Sequence, residues 1–182
     1  MFEPKFLSLP AELAQLKLTG RATDSQFAQN PLPLARALGI GLAGFHSSTV
    51  PEGLEPRTPA ETDNALRWLD SEDPLPAPFT RVSHAAVRSQ LSTPPTVSAP
   101  VVTHGAPIVA NVTLDNSVAH FDESDVLGFD PPERDLSIAI RSISETFTGE
   151  VAITFLDAYV EAGGGQPLGL ALDWYGVLAA FR

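Results

Sequence analysis

Apolar positions follow two different rhythms along this chain. Through the first 80 residues they recur every three or four positions inside short segments that carry helix start and stop signals. In "LPAELAQLKLTG", Pro10 stands at a first helical position, Leu13 and Leu16 share a face, and Gly20 stops the segment. "NPLPLARALG" repeats the logic with Asn30 as cap, Pro31 next, Leu34 and Leu38 on one face, and Gly39 closing. "TPAETDNALRWL" adds a capping box of Thr58 and Glu61, with Leu66 and Leu69 sharing a face. Such helices need a surface to pack on, because two or three turns are not stable alone. "TRVSHAAVRSQL" (80–91) fits a helix or a strand.

From about residue 97 the period reads as two. "IVANVTL" alternates Ile108, Ala110, Val112 and Leu114 against Val109, Asn111 and Thr113. "LSIAIRSI" sets Leu136, Ile138 and Ile140 on one face, "VAITFLDAY" sets Val151, Ile153, Phe155 and Tyr159 together, and "LGLALDWY" sets Leu168, Leu170, Leu172 and Trp174 together. A shorter strand is expected at Val118 to Phe121, with turns around Gly149 and at "EAGGGQP". Five or six antiparallel strands with one apolar face each imply a mainly β fold: an antiparallel β-sandwich or jelly-roll-like barrel. The division expected is an N-terminal elaboration of short helices and Pro-rich extended segments over 1–96 and a β-sandwich core over 97–182. "QLSTPPTVSAPVVTHGAP" (90–107) is the ordered junction between them, its prolines favouring a semi-rigid strap and Val101–Val102 giving it something to bury.

Composition narrows the functions more than the fold. Seventeen prolines and thirteen glycines in 182 residues favour short elements, and 43% apolar content supports a packed core. A net charge of −11 argues against nucleic acid, whose phosphates need Lys and Arg, and against anionic membrane surfaces. The absence of cysteine removes disulfides, thiolate catalysis and Cys-based metal sites. Glu3 and Pro4 stand where a basic leader would begin, and "ALGIGLAGF" is too short to span a bilayer, so neither a signal peptide nor membrane insertion is expected.

Several constellations invite a chemical reading. His120-x-Asp122 has the form of two legs of a facial iron triad, but no histidine follows residue 120 to complete it. Asp122, Glu123, Asp125, Asp130, Glu133 and Asp135 could offer oxygens to calcium, yet their spacing is not that of an EF-hand, and a solvated acidic loop is expected. "GIGLAG" (39–44) has the letters of a dinucleotide fingerprint without its strand–turn–helix setting and reads as a small-residue loop. "HSS" (46–48) lacks the context of a nucleophile, and "NVT" (111–113) reads as a strand edge. Trp174 is expected in the core, with Tyr175 the better exposed contact beside Trp68 and Tyr159.

No catalytic, cofactor-binding or metal-binding residue is assigned on these grounds. The resulting expectation is a non-enzymatic structural subunit of a large homo-oligomeric assembly, read as a virion protein (capsid or capsid decoration before tail or connector). Its partners would be copies of itself and other subunits, with no cofactor, no nucleic acid and no membrane insertion, and both chain ends packed. Its location would be the virion, or otherwise the cytoplasm. Two alternatives stand beside it: a β-sandwich ligand-binding module for ligands such as carbohydrate, and a metal-dependent enzyme using His104 and His120.

Overall fold

A computed structural model describes residues 4–71, 73–122, 124 and 126–181. Glu123 and Asp125 of the acidic stretch, and the extreme ends expected to be packed, lie outside the described residues. The architecture is helical. Helix covers 54% of the chain and strand only 9%, which overturns the expected β-sandwich or jelly roll.

In chain order the elements are α1 (Ala11–Leu16), β1 (Gly20–Arg21), α2 (Ser25–Gln29), α3 (Pro31–His46), α4 (Thr58–Asp70), α5 (His84–Leu91), β2 (Val101–Thr103), β3 (Val112–Asp115), β4 (Val118–Phe121), β5 (Gly128–Asp130), α6 (Glu133–Thr146), α7 (Gly149–Tyr159) and α8 (Gly169–Leu178). Two small antiparallel sheets accompany them. One runs β1-β3-β4, the other pairs β2 with β5.

The apolar runs of the C-terminal half are helices because their buried positions follow a helical stripe. In α6 the buried apolar residues are Leu136, Ala139 and Ile143; in α7 they are Val151, Ala152, Phe155, Ala158 and Tyr159. Two residues assigned to the strand-type core face decide the matter: Ile153 is 63% exposed and Leu170 is 77% exposed. An apolar run of eight residues satisfies both periods, and only the neighbours on each side choose between them. Here the choice is aided by Thr148, whose side chain accepts from Val151 N–H and caps α7 where a hairpin turn was expected.

Helix α3 is the centre of the main core. Leu34, Leu38, Leu42 and Phe45 are buried, as are the small residues between them, so the helix is covered almost all round. "GIGLAG" is therefore no loop. Its glycines let other backbone approach: a Cβ on Gly39 would stand 2.3 Å from the Phe155 carbonyl oxygen of α7, and one on Gly44 2.3 Å from the Lys5 carbonyl. α6, α7, β3 and β4 complete this core. A second cluster joins α4, α5 and α8 through Leu69, Leu91, Trp174, Tyr175 and Leu178.

Helix α4 begins where Thr58 and Pro59 place it, but the capping box is not formed. The Arg57 and Thr58 N–H groups and the Thr58 hydroxyl all donate to the Asp130 carboxylate, 2.7 to 3.1 Å away. The cap thus comes from a residue more than 70 positions along the chain. The strap after α5 runs irregularly to Pro100 and then pairs as β2 with β5, with Val102 fully buried.

Candidate functional site

β2 delivers the chain into a tight loop at 104–111. Gly105 has φ of +86°, and a Cβ there would lie 2.4 Å from the Val126 carbonyl, so the turn requires glycine. Asp135, in the first turn of α6, holds the loop from below. The His104 N–H donates to its Oδ2 (2.6 Å) and the Gly105 N–H to its Oδ1 (2.9 Å). His46, the last residue of α3, reaches the same carboxylate at 3.3 Å through Nε2, while its Nδ1 lies 2.9 Å from the Tyr159 hydroxyl. Burial alone would push the Asp135 carboxyl up, but the hydrogen bond and charge of His46, the charge of Arg134 and the Gly105 N–H outweigh it and hold it below the usual carboxylate range. Burial pushes the Tyr159 phenol up, aided by the charges of Glu133 and Asp135.

The His104 ring fixes the other side of the loop. Nε2 donates to the Asp122 carbonyl (2.7 Å), so Nδ1 is left as an acceptor and takes the Ala106 N–H (3.2 Å). The ring is wedged between Phe45 and Phe121, at centroid distances of 5.5 and 5.6 Å. Asn111 Nδ2 donates to the Ala106 carbonyl (3.0 Å), and Asp122 N–H donates to the Asn111 carbonyl (2.8 Å). Val109 N–H donates to Ser142 Oγ of α6 at 3.0 Å. Ala106, Asn111 and Asp122 are thereby held along one rim, although up to 16 positions separate them in sequence.

Two surfaces meet this rim. Ala106 borders a groove of about 430 Å³ whose wall includes Ile108, Ile138, Arg141, Ser142 and Glu145. Beside Asn111, the Arg21 guanidinium of β1 donates through Nη2 both to the Ala110 carbonyl and to Asp122 Oδ2, the latter at 3.0 Å. That ion pair is open to solvent, its side chains 51% and 44% exposed.

Behind the loop lies a buried charge network that shapes the scaffold. Arg134 is 1% exposed and forks onto Glu61 through Nη2 (2.5 Å) and Nε (3.1 Å), with Asp130 and Asp135 at 3.8 and 3.7 Å. Burial would lower its pKa, but those carboxylates raise it on balance. The Tyr175 phenol, 3.3 Å from the Thr58 hydroxyl, is pushed up to about 12 mainly by burial. Asp130, Glu133 and Asp135 are fully buried, so this part of the acidic stretch is an internal anchor rather than a solvated loop.

The other residues singled out in the sequence do not converge. His120 is exposed and lies against Phe6, at 5.1 Å between ring centroids, while His104 is committed to the loop. Among the described residues no group of three or more His, Cys, Asp or Glu could hold a metal ion. Tyr159, Trp174 and Tyr175 are buried and, of the four aromatics considered for sugar stacking, only Trp68 is substantially exposed, so these four form no shared platform. No described helix is long and apolar enough to cross a membrane.

No protein-family model matches the chain, and no curated protein matches it by sequence. Solved structures do match by fold. An aminoglycoside-3'-phosphotransferase of type VIII superposes with a TM-score of 0.65 at 19% identity, over 100% of this chain and 66% of that one. A macrolide 2'-phosphotransferase type I gives 0.59 at 19% identity, over 87% and 52%. A choline/ethanolamine kinase family protein from Mesorhizobium loti gives 0.56 at 22% identity, over 79% and 48%. The fold is thus that of these phosphotransferases and kinases, and the chain spans half to two thirds of their length. This similarity overturns the virion reading and, with it, the expectation of a non-enzymatic protein.

One signal for the site was present in the sequence. Protein kinases carry the catalytic-loop pattern H-R-D-x-x-x-x-N. Residues 104–111 read H-G-A-P-I-V-A-N, with the histidine and asparagine at that spacing and Ala106 in place of the aspartate. The alanine hides the pattern from a search for acids and bases, and Asn111 passes for a strand edge.

Proposed function

We propose that this chain is the loop-bearing lobe of a phosphotransferase and that the rim of Ala106, Asn111 and Asp122 receives the phosphate end of a nucleoside triphosphate. The observation that carries the reading is the hydrogen-bonded unit of His104, Asn111 and Asp122, with the catalytic-loop spacing between the first two. Backbone ties to Asp135 preset this unit, and phosphoryl transfer depends mostly on such positioning and on charge neutralisation.

In the reaction proposed, the bond from the γ-phosphorus to the β,γ-bridging oxygen breaks as a bond to an acceptor hydroxyl oxygen forms. The nucleoside diphosphate leaves with the electron pair on its terminal β-phosphate oxygen. In kinases the loop aspartate accepts the hydroxyl proton; Ala106 cannot, so here that proton goes to solvent and transfer is correspondingly slow. The groove beside Ala106 would seat the acceptor, with Arg141 and Glu145 as its polar groups.

Phosphotransferase folds commonly use magnesium, and Asp122 and Asn111 are oxygen donors of the type magnesium takes. In this structure, however, the Arg21 guanidinium stands between the Ala110 carbonyl and the Asp122 carboxylate, and its positive charge would repel a divalent ion placed on those oxygens, so the residues as arranged do not fit one and no step is assigned to it.

Transfer from radiolabelled ATP to an aminoglycoside, a macrolide and choline tests the reading. Ala106→Asp restores a proton acceptor and should raise the rate by about 10²-fold or more. Turnover absent from both forms with every acceptor would overturn it.

A further inference from the structure

We infer that Arg21 is a built-in substitute for the divalent cation and that the site binds nucleotide phosphates without metal. The inference rests on the reading of the rim as a phosphate site. Arg21 is placed there by the sheet: β1 pairs with β3 so that Arg21 sits opposite Thr113, two residues from Asn111. Its backbone N–H is tied to Asp24 Oδ2 at 2.9 Å, which closes the turn into α2 and steadies the strand. From that position the guanidinium joins the Ala110 carbonyl to the Asp122 carboxylate, two oxygen ligands of the kind a hard cation would join.

A guanidinium differs from a metal ion in being unable to leave, and in its planar array of five N–H donors. Both contacts run through Nη2, and the side chain is half exposed, so the remaining donors can meet phosphate oxygens. The pair with Asp122 is an orienting contact, since a solvent-exposed ion pair is weak and its arginine readily shares its charge with a second anion. The chain is strongly acidic, at −11 overall, and Arg21 supplies positive charge where a polyphosphate would otherwise meet the Asp122 carboxylate.

Calorimetric titration of the full chain with ATP, in excess EDTA and in excess magnesium, tests this. Wild type should bind with Kd values within about twofold in the two buffers, whereas Arg21→Ala should lose about tenfold or more in EDTA and become magnesium-dependent. Asp122→Asn should keep binding in EDTA, because the ligand contacts Arg21 and not a metal held by Asp122. Strict magnesium dependence of the wild type, or unchanged EDTA binding by Arg21→Ala, would overturn the inference while leaving the phosphate-site reading intact. Absence of ATP binding in both buffers would remove both. Unchanged thermal melting of Arg21→Ala excludes unfolding as the cause of its loss.

Discussion

Asp135 and Asp122 serve the same loop and could hardly be more differently placed. Asp135 is fully buried and accepts two backbone N–H groups, with His46 and Arg134 beside it. Asp122 is close to half exposed and meets one guanidinium in solvent. A buried charge held by several donors is costly to disturb, so it fixes geometry. An exposed pair contributes little to stability, so it can exchange partners with a ligand. The contrast separates a carboxylate that fixes the architecture of the loop from one whose ion-pair partner lies open to solvent.

The comparison is broken most severely at Asp135. Asp135→Ala leaves two N–H groups and Arg134 facing a void and should cost about 3–5 kcal/mol, read as a large fall in urea midpoint. Next comes His46→Ala, which leaves both Asp135 and the Tyr159 hydroxyl short of a partner; about 1–3 kcal/mol is expected by the same measurement.

Acidity sharpens the contrast further. The folded Asp135 carboxyl titrates below its unfolded value of about 3.9, so its stabilising effect is present above that pH and is lost as pH falls through the lower folded value. Asp135→Asn lacks this contribution, and its melting temperature should fall less steeply than wild type over the same acid range. Arg21→Ala stands at the small end, with a stability change of no more than about 1 kcal/mol in urea titrations. A large destabilisation there would show that the exposed pair is structural after all.

Particular residues show how far the chain could be read unaided. Pro31 and Thr58–Pro59 mark true helix starts and Val118 to Phe121 is a strand, whereas Gly149 opens a helix where a hairpin turn was expected. These signals are local: a fixed φ, a missing N–H or a turn residue acts without regard to distant neighbours. The runs at 136–143, 151–159 and 168–175 misled because alternation and helical stripes overlap within so few residues, and burial settled the outcome, in the core around α3 for the first two and against α4 and α5 for the third. The acids of 130–135 look like a solvated run, since no sequence pattern reveals that Asp130 will cap α4 or that Asp135 will hold residues 104 and 105.

What the sequence by itself determined is a punctuated, acidic, cysteine-free chain with several helix starts. What only the tertiary structure decided is the helical core, the burial of three acids and the meeting of Arg21 with Asp122 across 101 positions. The physical reason is that capping, burial and ion pairing between distant segments are properties of proximity. Proximity is created by packing, and no single stretch of residues encodes it.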